Sequence, residues 1–148
     1  MTRDGIDLSE LDAFTDRLIQ SSKEASRAQR KFLQQQGNKL KRKTIQKARA
    51  EVNKTRVVRP TYEREAGTYH KSIKRGKVYM KNGAQCIRVY SYDPVAHLIE
   101  GGWTPKARDG SSGKHQDGSK IFSDTWKDFT PEYERASEEA VDEMIRKI

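Results

Sequence analysis

An α+β fold is predicted by three features of the sequence. Apolar residues recur at helical spacing from Leu8 to Val52, an Asn-Gly pair separates two short runs of strand-forming residues in the middle, and a capped amphipathic stretch closes the chain. The expected architecture is a long N-terminal helix, a small antiparallel β-sheet built on a hairpin, a short middle helix and a C-terminal helix. The chain has 148 residues, of which 33% are apolar and 34% charged, so one domain with a core small for its length is expected.

The long helix is expected over 1–56. Asp7-Leu8-Ser9-Glu10 has the form of a capping box, and Leu8, Leu11, Phe14, Leu18, Ser22, Ala25, Gln29, Phe32, Leu40, Ile45, Ala48 and Val52 follow at threes and fours. The stripe is thin, with Ser and Gln on it, so part of the helix should project or pack on another subunit. Gly37 is its weak point and a candidate kink. Val57-Val58-Arg59-Pro60 ends the helix, since the residue before proline favours extended geometry.

The segment 57–100 begins with a polar connector reaching about Thr68. The hairpin then runs through Ser72–Met80 and Gln85–Tyr92 around Asn82-Gly83, which suits a type I′ turn. That turn pairs Tyr79 with Cys86, Met80 with Gln85 and Val78 with Ile87, and further down Lys77 with Arg88, Gly76 with Val89 and Arg75 with Tyr90. One side is then largely apolar. The other is basic and aromatic, facing solvent or an acidic partner. Pro94–Glu100 reads as a short buried helix stopped by Gly101-Gly102. Residues 101–120 hold five of the ten glycines and are expected to be a flexible loop, disordered or ordered by a partner. Within 121–148, Ile121–Phe129 is a strand or an approach to the last helix. Thr130-Pro131-Glu132 begins that helix, and Tyr133, Ala136, Ala140, Met144 and Ile148 form its apolar stripe.

The charge is uneven. The net is +9, made of −4 in residues 1–16, +1 from Arg17, +15 in residues 23–81, +1 in 82–127 and −4 in 128–148. A basic middle between acidic ends fits a nucleic-acid footprint, a surface that meets the acidic end of an identical neighbour, or a solvated helix face. The nucleic-acid reading places Lys39, Lys41, Arg42, Lys43, Lys47 and Arg49 on phosphates. Nothing approaches 18 consecutive apolar residues, and Met1-Thr2-Arg3-Asp4-Gly5 has no secretory-type apolar run. A lone Cys86 fits a reducing compartment.

Catalytic and metal chemistry is not expected, and no cofactor is. Cys86, His70, His97 and His115 lack zinc-type spacing. Gly110-Ser111-Ser112-Gly113-Lys114 fails as a phosphate loop, having Arg108 where the first glycine belongs and His115 where Ser or Thr belongs. Cys86 and His97 have no third group to orient the imidazole, so a half-buried thiol and a histidine hydrogen-bonded in the packing are expected. Trp103 and Trp126 read as hydrophobic anchors.

Ala66-Gly67-Thr68-Tyr69-His70-Lys71-Ser72-Ile73 resembles the T-G-x-L-x-x-S-I box of the head–tail joining, or tail-completion, family of long-tailed bacteriophages and prophages. Ala96-His97-Leu98-Ile99-Glu100-Gly101-Gly102 resembles that family's A-H-x-V-E-x-G box, and Leu8-Ser9-Glu10-Leu11 resembles its opening helix. The resemblance covers nearly the whole chain in element order. It implies a non-enzymatic virion subunit, assembled in the bacterial cytoplasm into a ring, commonly six-fold, at the neck. Its partners would be itself, the head connector and the tail tube, with DNA passing through and no membrane. The candidate assembly residues are Trp103, Lys41, Arg42, Lys43, Glu138, Glu139 and Glu143. Gly67, Asn82, Gly83, His97, Glu100 and Gly101 are the candidate fold-determining ones.

Overall fold

The computed structural model describes residues 9–52, 57–59 and 62–147, and its fold is α+β. The elements in chain order are α1 (Ser9–Glu51), β1 (Val57–Arg59), β2 (Tyr62–Arg64), α2 (Thr68–Lys71), β3 (Ile73–Arg75), β4 (Tyr79–Lys81), β5 (Ala84–Cys86), β6 (Val89–Ser91), α3 (Ala96–Gly101) and α4 (Ile121–Arg146). The expected capping box lies mostly outside the described residues, and so do Leu8 and Ile148.

Helix α1 runs unbroken for 43 residues, about 65 Å at 1.5 Å per residue. Gly37 does not interrupt it. A Cβ there would come within 3.1 Å of Arg75 Cδ and Ile87 Cδ1, so the glycine lets the hairpin seat on the helix. Glycine costs a helix interior roughly 1 kcal/mol relative to alanine. Among the residues of α1 whose burial is described, the buried ones lie in its second half, at Leu33, Gln36, Gly37, Thr44 and Ala48. In its first half Phe14, Leu18 and Ile19 are exposed, as a projecting helix requires.

Helix α4 lies antiparallel along α1. Tyr133 stacks against Phe32 at 5.9 Å, while Met144, eleven residues on, shares a groove with Ser21 and Ala25. The helix starts at Ile121, so the expected beginning at Thr130-Pro131-Glu132 is corrected: Pro131 stands inside it. The proline forfeits one backbone hydrogen bond. Ile121, Thr125 and Phe129, one turn apart and all buried, carry the helix across that defect. Together with Ala48, Tyr69 and Ile73 they make up most of the core, with Ile45, Val89, Ile99 and Phe122 packed around it.

The central hairpin has the expected turn and a different lower register. Tyr79 pairs with Cys86, Met80 with Gln85 and Lys81 with Ala84, around Asn82 at φ 52° and Gly83 at φ 77°. Below the tip the pairs are Arg75 with Val89, Lys74 with Tyr90 and Ile73 with Ser91. Gly76, Lys77 and Val78 therefore face only Ile87 and Arg88, as in a β-bulge. The expected pairs Gly76–Val89, Lys77–Arg88 and Arg75–Tyr90 are corrected by that one extra residue. The shift turns Arg75 towards α1, where Nη1 donates to Gln34 O at 3.3 Å, and Arg88 lies over the Tyr90 ring at 4.8 Å. Because open space surrounds the Gly83 Cβ position, only its left-handed φ resists a side chain there. Gly83→Val should cost at least about 1–2 kcal/mol in urea denaturation, and Gly83→Asn distinctly less. Equal midpoints for both variants would show that the turn conformation is not what matters.

The polar connector expected before Thr68 contains two strands. Strands β1 and β2 pair antiparallel, Val57 with Arg64 through Arg59 with Tyr62. Arg64 then makes a two-pronged ion pair with Asp93, whose side chain is fully buried. The expected structureless loop 101–120 is a narrow ribbon. Trp103 and Gln116 exchange both backbone hydrogen bonds, at 2.9 and 2.7 Å, and Lys106 bridges Ser112.

Candidate functional site

No described group of three or more His, Cys, Asp or Glu side chains could hold a metal ion, and no described helix is long and apolar enough to cross a membrane. Cys86 is half-buried with its Sγ near Ala84 O, and His97 is exposed with no hydrogen bond among the described residues. Helix α3 is thus not the buried element expected. His97 and Leu98 face outward, and Ala96 and Ile99 meet the core.

Glu100 Oε2 accepts the Phe122 N–H at 3.0 Å and its Oε1 the Ser123 N–H at 2.9 Å, capping α4 from another helix. A carboxylate there meets unpaired N–H groups and the positive end of the helix dipole. The residue in the N-cap position, Lys120, has φ 49° and supplies no side-chain cap. Main-chain bonds tighten the junction, with Ser119 N–H donating to Ile99 O at 2.7 Å and Lys120 N–H to Glu100 O at 3.3 Å.

Of the glycines singled out, Gly67 opens α2 at φ 81°, where a Cβ would lie 2.7 Å from His70 Cε1. The expectation for Gly101 is corrected: a Cβ there would meet nothing within 4 Å. The constrained positions are Gly102, at φ 85° with a Cβ site 2.3 Å from Gln116 O, and Gly118, whose Cβ site is 2.1 Å from Glu100 O. Tyr69, where the resemblance has an aliphatic residue, is fully buried in the core. Burial, with the negative charges of Glu100 and Asp93, pushes its hydroxyl up to about 12. Burial also lowers the neighbouring His70, aided by the positive charges of Arg49 and Lys71.

The basic middle is partly answered within the chain. Lys43 Nζ donates to Glu132 Oε2 at 2.7 Å and sits 5.5 Å above the Phe129 ring, with Lys39 Nζ 3.9 Å from Glu132 Oε1. Lys47 pairs with Glu51, and Glu143 with Lys147. The Lys43 hydrogen bond, with the positive charges of Lys43, Lys39 and Arg135, holds the Glu132 carboxyl below its ordinary value against a smaller opposing effect of burial. Lys41 is half-buried, whereas Arg42, Glu138, Glu139 and Trp103 are exposed. The structure brings none of Lys41, Arg42 and Lys43 together with Glu138, Glu139 or Glu143.

Besides Phe14, Leu18 and Ile19 on α1, two further exposed apolar patches stand out. One, at the hairpin tip against α1, is a groove lined by Arg27, Arg30, Val78, Tyr79, Met80 and Gln85. The other, on the last turns of α4, holds Val141 and Ile145. Sequence reasoning missed both, although Met80 and Tyr79 on neighbouring positions of one strand were a visible sign that one of them must face out. Comparison with protein-family models, curated proteins and solved structures gives no match to this chain.

Proposed function

We propose that this chain is a structural, non-enzymatic virion subunit that assembles into a ring at the head–tail junction of a tailed phage or prophage. It would complete the tail, join it to the head and leave a channel for DNA. The observation that carries the reading is the balance of burial. Among the described residues six hydrophobic side chains are buried while eleven large ones are exposed, so the surface calls for cover by other subunits. The element order and the two sequence boxes support the same reading. The first box places Tyr69, Ser72 and Ile73 in the core, and the second supplies the Glu100 cap. The competing reading, an accessory protein using α1 on phosphates, is weakened because Lys39, Lys43 and Lys47 already meet carboxylates.

The test is genetic and visual. Removing the gene from its phage should leave filled heads and free tails unjoined, and supplying the protein in trans should restore joining. Complete particles in its absence would reject the neck role. Steeply salt-dependent binding to duplex DNA by the purified protein would favour the accessory protein.

A further inference from the structure

We propose that the groove at the hairpin tip is the docking site for a second copy of this chain, and that it receives the acidic, apolar last turns of that copy's α4. The inference deepens the ring reading and rests on it for its biological setting, though the contact can be tested apart from any particle.

The groove has a volume of about 310 Å³. Its walls are Ser26, Arg27 and Arg30 on α1, and Val78, Tyr79, Met80 and Gln85 on the hairpin. Met80 is 64% exposed and Tyr79 42%, high values for side chains beside a groove wall. Among the described residues no carboxylate lines it. The surrounding sequence is one-sided as well: residues 66–92 contain six bases and no acid, and residues 25–50 contain nine bases and no acid. An occupant that matches this surface is apolar at its centre and negative around it.

The last turns of α4 have that character. Val141 and Ile145 stand one turn apart and are 49% and 62% exposed. Glu138 lies one turn before both Val141 and Asp142, so the apolar pair is flanked by two exposed carboxylates on the same side of the helix. No ion pair or hydrogen bond among the described residues occupies Glu138 or Asp142. Within one molecule, then, an uncovered basic apolar groove and an uncovered acidic apolar helix face coexist. Each supplies what the other lacks.

Nucleic acid would answer the two arginines alone. It would leave Met80 and Val78 against a phosphate backbone, and Val141 and Ile145 still in water. A second copy covers all four apolar side chains and pairs the charges in one contact. Each copy carries one groove and one α4 end, so the contact can pass from subunit to subunit and close a ring. The apolar centre would supply most of the affinity, and the flanking charges would set orientation and speed of encounter.

The experiment is a charge swap with two variants of the full chain. One carries Arg27→Glu and Arg30→Glu, the other Glu138→Lys and Asp142→Lys. All four residues are exposed, and circular dichroism of each variant should match the parent. Sedimentation velocity at physiological salt should show self-association weakened about tenfold or more in each variant alone, where like charges now meet. An equimolar mixture should recover most of the parental association, since each variant's altered surface then faces its complement. A mixture as dissociated as its components overturns the proposal, and so does a parent chain that stays monomeric. If the arginine variant loses duplex-DNA binding while its self-association is unchanged, the groove is a nucleic-acid surface and the proposal fails. Head–tail joining is scored separately, so the contact and the neck reading can fail independently of each other.

Discussion

Arg64→Ala should destabilise the fold by about 3–5 kcal/mol near neutral pH, the cost of leaving one member of a buried ion pair without its partner. The side chain of Asp93 is fully buried, and that of Arg64 is 13% exposed. Both guanidinium nitrogens reach the carboxylate, Asp93 Oδ1 also accepts the Val95 N–H at 3.1 Å, and the Asp93 N–H donates to Ser91 Oγ at 3.1 Å. The pair thereby ties β2 to the turn that leads into α3. Burial pushes the Asp93 carboxyl up, but the Arg64 hydrogen bonds, the Val95 N–H and the Arg64 charge together bring it below its ordinary value. A carboxylate whose folded pKa is depressed adds stability above its unfolded pKa of about 3.9, and that stability is lost as pH falls through the folded value.

In Arg64→Ala the sign reverses. Burial now acts with less to oppose it, the folded pKa rises above the unfolded one, and the variant gains stability as pH falls towards 4. Urea denaturation from pH 7 down to pH 4 should therefore show the parent and variant curves converging. Parallel curves would mean that Asp93 has another partner sufficient to hold its charge. The double variant Arg64→Ala/Asp93→Ala should lose less than the two single losses added, because neither charge is left stranded.

How far the sequence reveals this fold depends on whether the signal is local. The α1 period, the Asn82-Gly83 turn and the upper hairpin register are set by residues close to one another in the chain, and each is where the pattern puts it. The bulge is not legible in the same way. Gly76 permits it, but the seating of Arg75 and Ile87 over Gly37 depends on residues about forty to fifty positions away. The start of α4 was misread because Thr130-Pro131-Glu132 is a strong local cap signal, whereas the cap in use is Glu100, over twenty residues upstream. A single stripe through Ile121, Thr125, Phe129, Tyr133, Ala140 and Met144 crosses the proline, and that periodicity was the clue available.

The candidate surface was legible in charge and not in geometry. Segment sums expose a basic middle between acidic ends, yet they cannot say that Lys39 and Lys43 turn to Glu132 on α4. Nor can they say that Arg27 and Arg30 stand beside Met80. Those neighbours come from the crossing of α1 with the hairpin, and no spacing along one element encodes a crossing.

Gly118→Ala and Gly102→Ala should each cost about 3 kcal/mol or more, above the common range for adding a methyl group to a packed site. At Gly118 the obstacles to a Cβ are backbone atoms, Glu100 O at 2.1 Å, Glu100 C at 2.6 Å and Gly102 N at 2.6 Å, so no side-chain rotation relieves the clash. At Gly102 a left-handed φ of 85° adds to an approach of 2.3 Å from Gln116 O. Relief requires the two ends of the ribbon to part. Parting them breaks the Ser119–Ile99 and Lys120–Glu100 hydrogen bonds and draws the Glu100 carboxylate away from Phe122 and Ser123. The damage should therefore appear at the start of α4 as well as in global stability, with the Phe122 and Ser123 amides losing hydrogen-exchange protection before those near Phe129. Gly101→Ala is the control, since Gly101, the first residue of the same Gly-Gly pair, has open space around its Cβ position. It sits in α3, where alanine outdoes glycine by up to about 1 kcal/mol, so this variant should match or exceed the parent. If Gly118→Ala unfolds at the parental urea midpoint, or if Gly101→Ala falls as far as Gly102→Ala, the close backbone approach is not what joins α3 to α4.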